Sequence, residues 1–142
     1  LTVDIPPEEG SDLINAMRAH ELDPIYLLAP TSTEERIRKI TSTASGFVYY
    51  VSLKGVTGAA NLDVDAVSAK LDAIRQTTEM PVGVGFGIKD AATAKAMAAI
   101  ADAVVVGSAI VQRVEDNAGD TAAIQASVGE LIAEMRAAID AI

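Results

Sequence analysis

Cysteine and tryptophan are absent from this 142-residue chain, and histidine occurs once. Without cysteine there are no disulfides and no thiolate metal sites, and one histidine cannot build an ordinary zinc centre. The lack of cysteine suits a reducing compartment. Positive charge is also scarce: 11 Lys and Arg stand against 20 Asp and Glu, a formal net charge of −9. That balance argues against nucleic acid or an anionic membrane as partner, since both reward clustered basic residues. No apolar run approaches the roughly 20 residues of a membrane span, and no basic start followed by a long apolar core marks a secretory signal. A soluble cytoplasmic protein is the expectation. What remains, 50% hydrophobic and 22% charged residues, fits one globular domain. The first residue is Leu, and Leu1–Ile5 already has strand character, so the chain is expected to begin inside an element.

Strand and helix patterns alternate. Parallel strands buried on both faces read as continuous apolar runs. Such runs occur at Leu1–Ile5, Ile25–Ala29, Phe47–Ser52, Val82–Phe86 and Ala103–Val106. Pro7, Glu8 and Glu9 have the character of a helix first turn, with Leu13, Ile14 and Met17 on its apolar face and Asp23-Pro24 as its stop. Ser32-Thr33-Glu34-Glu35 matches a capping box leading into Ile37 and Ile40. Val64, Val67, Leu71 and Ile74 predict a third helix opened by Asp63 or Asp65, and Asp90 is the expected cap of an alanine-rich fourth. Ile124, Val128, Leu131, Met135, Ile139 and Ile142 form one stripe of a last helix capped by Asp120 or Thr121. Met17, Met97 and Met135 fall on apolar stripes and are expected in the core.

Such alternation means a parallel sheet with right-handed crossovers, either doubly wound or part of a (β/α)₈ barrel. A full barrel takes about 250 residues, so five strands are just over half of one. No linker, low-complexity tract or second domain interrupts the pattern.

Three strand ends carry glycine. Asp102–Val106 passes through Gly107-Ser108 into Ile110–Val114, which has helical spacing. A helix N-terminus offers free N–H groups and a positive dipole end to an anion such as phosphate. Gly85-Phe86-Gly87 is either a second part of that cradle or a place of close backbone packing. Ser52-Leu53-Lys54-Gly55-Val56-Thr57-Gly58 precedes a long connection, and reads either as a mobile lid or as a plain glycine turn. Lys54 is a Schiff-base candidate or a solvated loop lysine, and His20 follows a helix end where an imidazolium favours the dipole.

Ser-x-x-Gly-Val-Thr-Gly at 52–58, Gly-Phe-Gly-Ile at 85–88, Gly-Ser-Ala-Ile-Val at 107–111 and Asp4-Ile5-Pro6-Pro7-Glu8-Glu9 together resemble the C-terminal half of the tryptophan synthase alpha subunit family. The resemblance covers essentially the whole chain and implies a (β/α)₈ TIM barrel. This chain would carry about the last five β/α units (strands 4 to 8), with residues 1–142 the C-terminal portion of a single barrel domain. It implies a lyase of tryptophan biosynthesis that cleaves indole-3-glycerol phosphate to indole and glyceraldehyde 3-phosphate. Gly58, Gly87, Gly107 and Ser108 would hold the phosphate. Phe86, Tyr49 and Leu1 would line the indole end, and Thr57 would sit in a lid. Asp4, Pro6 and Pro7 would face a beta subunit in an alpha2-beta2 heterotetramer. Pyridoxal phosphate belongs to that beta subunit, and no cofactor or metal is implied here. The family's two acid–base carboxylates lie on strands 2 and 3 or their loops, upstream of Leu1, so no catalytic residue is expected within the chain. Asp4, Glu8 and Glu9 are better read as a strand-end aspartate and helix-start acids. The alternative is a non-catalytic phosphate-binding half-barrel that self-associates through its open edges.

Overall fold

The computed structural model describes residues 1–52 and 63–142. Its elements run α1 (Ser11–Ala19), β1 (Tyr26–Leu28), α2 (Glu34–Thr41), β2 (Val48–Val51), α3 (Val64–Arg75), β3 (Val82–Gly85), α4 (Ala91–Ala98), β4 (Ala103–Val105), α5 (Ser108–Asp116) and α6 (Thr121–Asp140). The four strands are all parallel and lie in chain order, β1-β2-β3-β4.

That order separates the two candidate architectures. A doubly wound sheet reverses its strand order at a switch point and carries helices on both faces. Here the order never reverses, and the core lies on one face. Along the paired strands, Tyr26, Leu28, Val48, Tyr50, Val82 and Val84 share a face, because alternate residues of a strand point the same way. All six belong to one buried cluster with Ile14 of α1, Ile37 and Ile40 of α2, Leu71 and Ile74 of α3, Met97 of α4, and Leu131 and Met135 of α6. The helices therefore form an outer layer on a single side, as in the wall of a barrel.

The opposite face carries Leu27, Tyr49, Val51, Gly83, Gly85, Ala103 and Val105 by the same register, and none belongs to the core cluster. Two of its glycines make room for rings. A Cβ at Gly85 would stand 1.8 Å from the Tyr49 hydroxyl and 2.4 Å from Tyr49 Cζ. A Cβ at Gly83 would come within 3.1 Å of the Phe47 ring. Phe47 and Tyr49 thus lie flat across β3, which is why β3 reads Val-Gly-Val-Gly.

Several boundaries differ from the sequence expectations. Leu1–Ile5 forms no strand and contributes one parallel bridge, Thr2 to Tyr26, so among the described residues the sheet has four strands rather than five. Pro6 and Pro7 bound the run at its far end: neither has an amide N–H, so neither can extend a sheet ladder past Ile5. Pro7, Glu8 and Glu9 form a turn closed by Glu9 N–H donating to Pro6 O at 3.0 Å, and α1 starts only after Gly10. It ends at Ala19, before Asp23-Pro24, with Glu21 in the left-handed region at φ 56°. Thr33, not Ser32, caps α2 by accepting from Arg36 N–H, while the Ser32 hydroxyl accepts from Ala29 N–H. Met17 is only half-buried because α1 buries little beyond Ile14, and Ile142 lies past the end of α6 and is exposed. Asp63, Asp90 and Asp120 cap α3, α4 and α6, each accepting from the backbone N–H three residues on.

Candidate functional site

Parallel strands in register bring their C-terminal ends to one edge. Val51, Gly85 and Val105 are successive partners across β2, β3 and β4. The residues just beyond them, Ser52, Phe86-Gly87 and Val106-Gly107-Ser108, therefore emerge together. In an α/β sheet this edge is where ligands bind.

At the β3 end the backbone is strained. Phe86 has φ 74° and Gly87 φ 76°, two consecutive left-handed residues. Glycine adopts that region freely, but a non-glycine residue there costs on the order of 1–3 kcal/mol. Ser52 supports the turn. Its amide donates to Gly85 O at 3.1 Å, and its hydroxyl lies 2.7 Å from Gly85 O and 2.9 Å from Phe86 O. The Phe86 ring is left 52% exposed at the sheet edge, while Ile88 turns back into the core.

At the β4 end, Gly107 is the N-cap of α5 and has no side chain to satisfy the helix's first amides. Its carbonyl accepts from Ile110 N–H at 2.9 Å and Val111 N–H at 3.1 Å. The amides of Ser108 and Ala109 precede the first intrahelical donor and point outward from the helix end. A Cβ at Gly107 would meet nothing within 4 Å, so this terminus is open. Such an end can hold an anion through backbone N–H groups, which suits a chain of net charge −9.

Of the residues expected to bind substrate, Tyr49, Phe86, Gly87, Gly107 and Ser108 lie on the inner face or at this edge. Tyr49 is buried against Gly85, and that burial raises its hydroxyl pKa above 10.0. Leu1 stands apart, 67% exposed and one residue before the bridge to β1. Thr57 and Gly58, with Lys54 and the expected lid, lie outside the described residues. Gly85 itself answers to close packing. Ser52 belonged to a quoted motif, yet its role as the brace of Phe86 depends on a neighbour 34 residues away and could not be read from spacing.

Asp4, Pro6 and Pro7 come together in a cleft of about 190 Å³ lined also by Tyr26, Leu27, Arg36 and Ile40. Glu8, expected as a helix-start acid, instead pairs across the fold with Arg36 and Lys39 of α2. The hydrogen bond from Lys39, helped by the Glu8 backbone N–H and the two cations, lowers its pKa to about 2. Among the described residues no group of three or more His, Cys, Asp or Glu side chains could hold a metal, and no helix is long and apolar enough to cross a membrane.

Comparison with known proteins places these features in context. A family model described as tryptophan synthase alpha chain matches residues 1–140. A tryptophan synthase alpha chain from Thioalkalivibrio sulfidiphilus (strain HL-EbGR7) is 61% identical over 140 residues, covering 99% of this chain and 53% of the relative. One from Burkholderia pseudomallei (strain 1106a) is 59% identical, with 99% and 51% covered. Among solved structures, tryptophan synthase subunit alpha from Legionella pneumophila str. Paris superposes with a TM-score of 0.79 at 34% identity, covering 99% of this chain and 52% of that one. Tryptophan synthase from M. tuberculosis, in an open form, gives 0.75 at 32% identity, covering 94% and 49%. The chain spans about half the length of the curated relatives it matches.

Proposed function

The chain belongs to the tryptophan synthase alpha chain family, and from that membership we propose that it is the phosphate-anchoring, C-terminal portion of a single-domain barrel lyase acting on indole-3-glycerol phosphate. The observation that supports this best is the shared edge of Phe86-Gly87 and Gly107-Ser108, where a left-handed turn and an uncapped helix start emerge from adjacent strands.

The reaction is a reverse aldol cleavage. Protonation at indole C3 makes that carbon a good leaving group, and a base removes the proton of the glycerol hydroxyl. The bond between C3 and the glycerol carbon breaks, leaving indole and glyceraldehyde 3-phosphate. Each proton transfer by a positioned carboxylate contributes about 10²–10⁴-fold. The acid–base pair is assigned to the upstream half of the barrel. The contribution of this chain is positioning: amides at Gly87, Gly107 and Ser108 hold the phosphate, each charge-assisted hydrogen bond contributing about 1.5–3 kcal/mol. Binding energy at this remote group orients the reacting end. Phe86, Tyr49 and Leu1 are the residues proposed for the indole end, and Gly58 for the phosphate and Thr57 for the lid are carried over from the family resemblance alone. Asp4, Pro6 and Pro7 face a beta subunit, which carries the pyridoxal phosphate of the assembly.

The test is direct. The 142-residue polypeptide is expected to release no indole from indole-3-glycerol phosphate, whereas the chain extended to the length of its relatives releases it. Indole release by the 142-residue polypeptide, surviving purification from any longer species, would sink the assignment of the acid–base pair.

A further inference from the structure

Ser52 joins two neighbouring strand ends. It follows Val51, the register partner of Gly85, so it stands beside Phe86 across the seam between β2 and β3. Its amide donates to Gly85 O at 3.1 Å and extends the ladder by one bond. Its hydroxyl reaches further, lying 2.7 Å from Gly85 O and 2.9 Å from Phe86 O. A hydroxyl has one proton to give. Gly85 O already receives the Ser52 amide, so Phe86 O is the carbonyl that depends on the hydroxyl.

That bond has a directional consequence. The described peptide bonds are all trans, so the C=O and N–H of one peptide point in opposite directions. The Phe86 carbonyl shares its planar unit with the Gly87 N–H. With the carbonyl drawn toward β2, the N–H is turned toward β4, the neighbour on the other side of β3. Gly107 and Ser108 emerge from β4 on that side. Strain makes the bond matter. Phe86 at φ 74° occupies a region where a non-glycine residue persists only if its surroundings fix it. Rotation of this peptide would present the Phe86 carbonyl in place of the amide, and a carbonyl oxygen repels an anion.

We propose that Ser52 is a positioning residue whose hydroxyl locks the Phe86–Gly87 peptide, so that the Gly87 N–H faces the anion site shared with Gly107 and Ser108. The inference rests on the phosphate reading above and adds to it a side chain that acts through one peptide plane.

The chain extended to the length of its relatives tests the lock, with glycerol phosphate as the probe. Calorimetry gives the affinity, and NMR follows the backbone amides of Gly87, Gly107 and Ser108. In the parent, all three amide signals are expected to shift as the probe binds. Ser52→Ala is expected to bind roughly tenfold more weakly, the scale of one charge-assisted hydrogen bond. At saturation its Gly87 amide should no longer respond, while Gly107 and Ser108 respond as in the parent. Ser52→Thr keeps the hydroxyl and Ser52→Val has the same shape without it, so this pair isolates the hydroxyl even where Ser52→Ala folds poorly. The Thr variant should match the parent, and the Val variant should show the alanine loss. Equal affinities in the Thr and Val variants, or a Gly87 amide that still responds in Ser52→Val, would overturn the lock and leave the phosphate reading standing. Loss of response at all three amides in Ser52→Val would show general disruption and overturn it too. A parent in which none of the three amides responds would instead overturn the phosphate reading, and the lock with it.

Discussion

At Gly87 a side chain would meet two separate objections, and they can be told apart. The residue has φ 76°, which asparagine and aspartate tolerate better than other side chains, and its amide is one of those proposed above to hold the phosphate. Gly87→Asp adds a carboxylate beside a dianion. At about 4 Å and an effective dielectric near 20, like charges repel by roughly 4 kcal/mol. Binding of glycerol phosphate, measured by calorimetry on the full-length protein, is expected to fall by two or more orders of magnitude. Gly87→Asn, of the same shape without the charge, should lose far less, and Lys89→Ala should change little. Equal losses in the Asp and Asn variants would show strain rather than charge to be the cause.

Four titrations also belong to single residues. The folded-state pKa of Glu8 is lowered from 4.5 to about 2, so its ion pairs stabilise the fold fully above pH 4.5 and lose that contribution as pH falls toward 2. Denaturant unfolding of Glu8→Gln should show a flatter dependence across that window. Tyr26, Tyr49 and Tyr50 are shifted the other way by burial, each above 10.0. Their protonated forms stabilise the fold below pH 10, and this is lost as the unfolded chain ionises first. Tyrosinate absorbance should therefore rise together with alkaline unfolding rather than before it.

Among the elements, β3 and α4 carry the clearest expectations. Gly85→Ala places a methyl into the Tyr49 ring, and overpacking of this kind costs about 1–3 kcal/mol. Pairing it with Tyr49→Leu should recover part of the loss, because the larger ring is what the methyl meets. Non-additivity in that double-mutant cycle is the measurement. Asp90 caps α4 in a reciprocal pair with Thr93, whose backbone N–H, followed by its hydroxyl, holds the Asp90 pKa below 3.8. Asp90→Ala should destabilise the protein by about 1 kcal/mol in denaturant unfolding.

For the molecule as a whole, the inner sheet face decides behaviour in solution. Parallel sheets are stable when both faces are covered. Here Leu27, Val51 and Val105 are half-buried and Phe86 is 52% exposed. The 142-residue polypeptide by itself is expected to self-associate at micromolar concentration, read by sedimentation. Co-expression with the upstream half should return a single 1:1 species. A monomer that binds no hydrophobic dye would contradict this.

Local signals in the sequence determined most of the elements. Apolar runs marked the four strands, and Asp63, Asp90 and Asp120 marked helix starts, since strand burial and capping involve residues a few places apart. The glycines of the strand ends and the family motifs indicated the edge proposed here as the site. Tertiary structure alone decided what depends on distant partners. It placed all buried helix residues on one sheet face, which distinguishes a barrel wall from a doubly wound sheet. It replaced a fifth strand with a single bridge at Thr2 and turned Glu8 from a helix-start acid into the ion-pair partner of Arg36, 28 residues away. It also set Ser52 under Phe86. Sequence spacing encodes neighbours along one helix or strand, whereas these contacts arise only when separate elements are packed together.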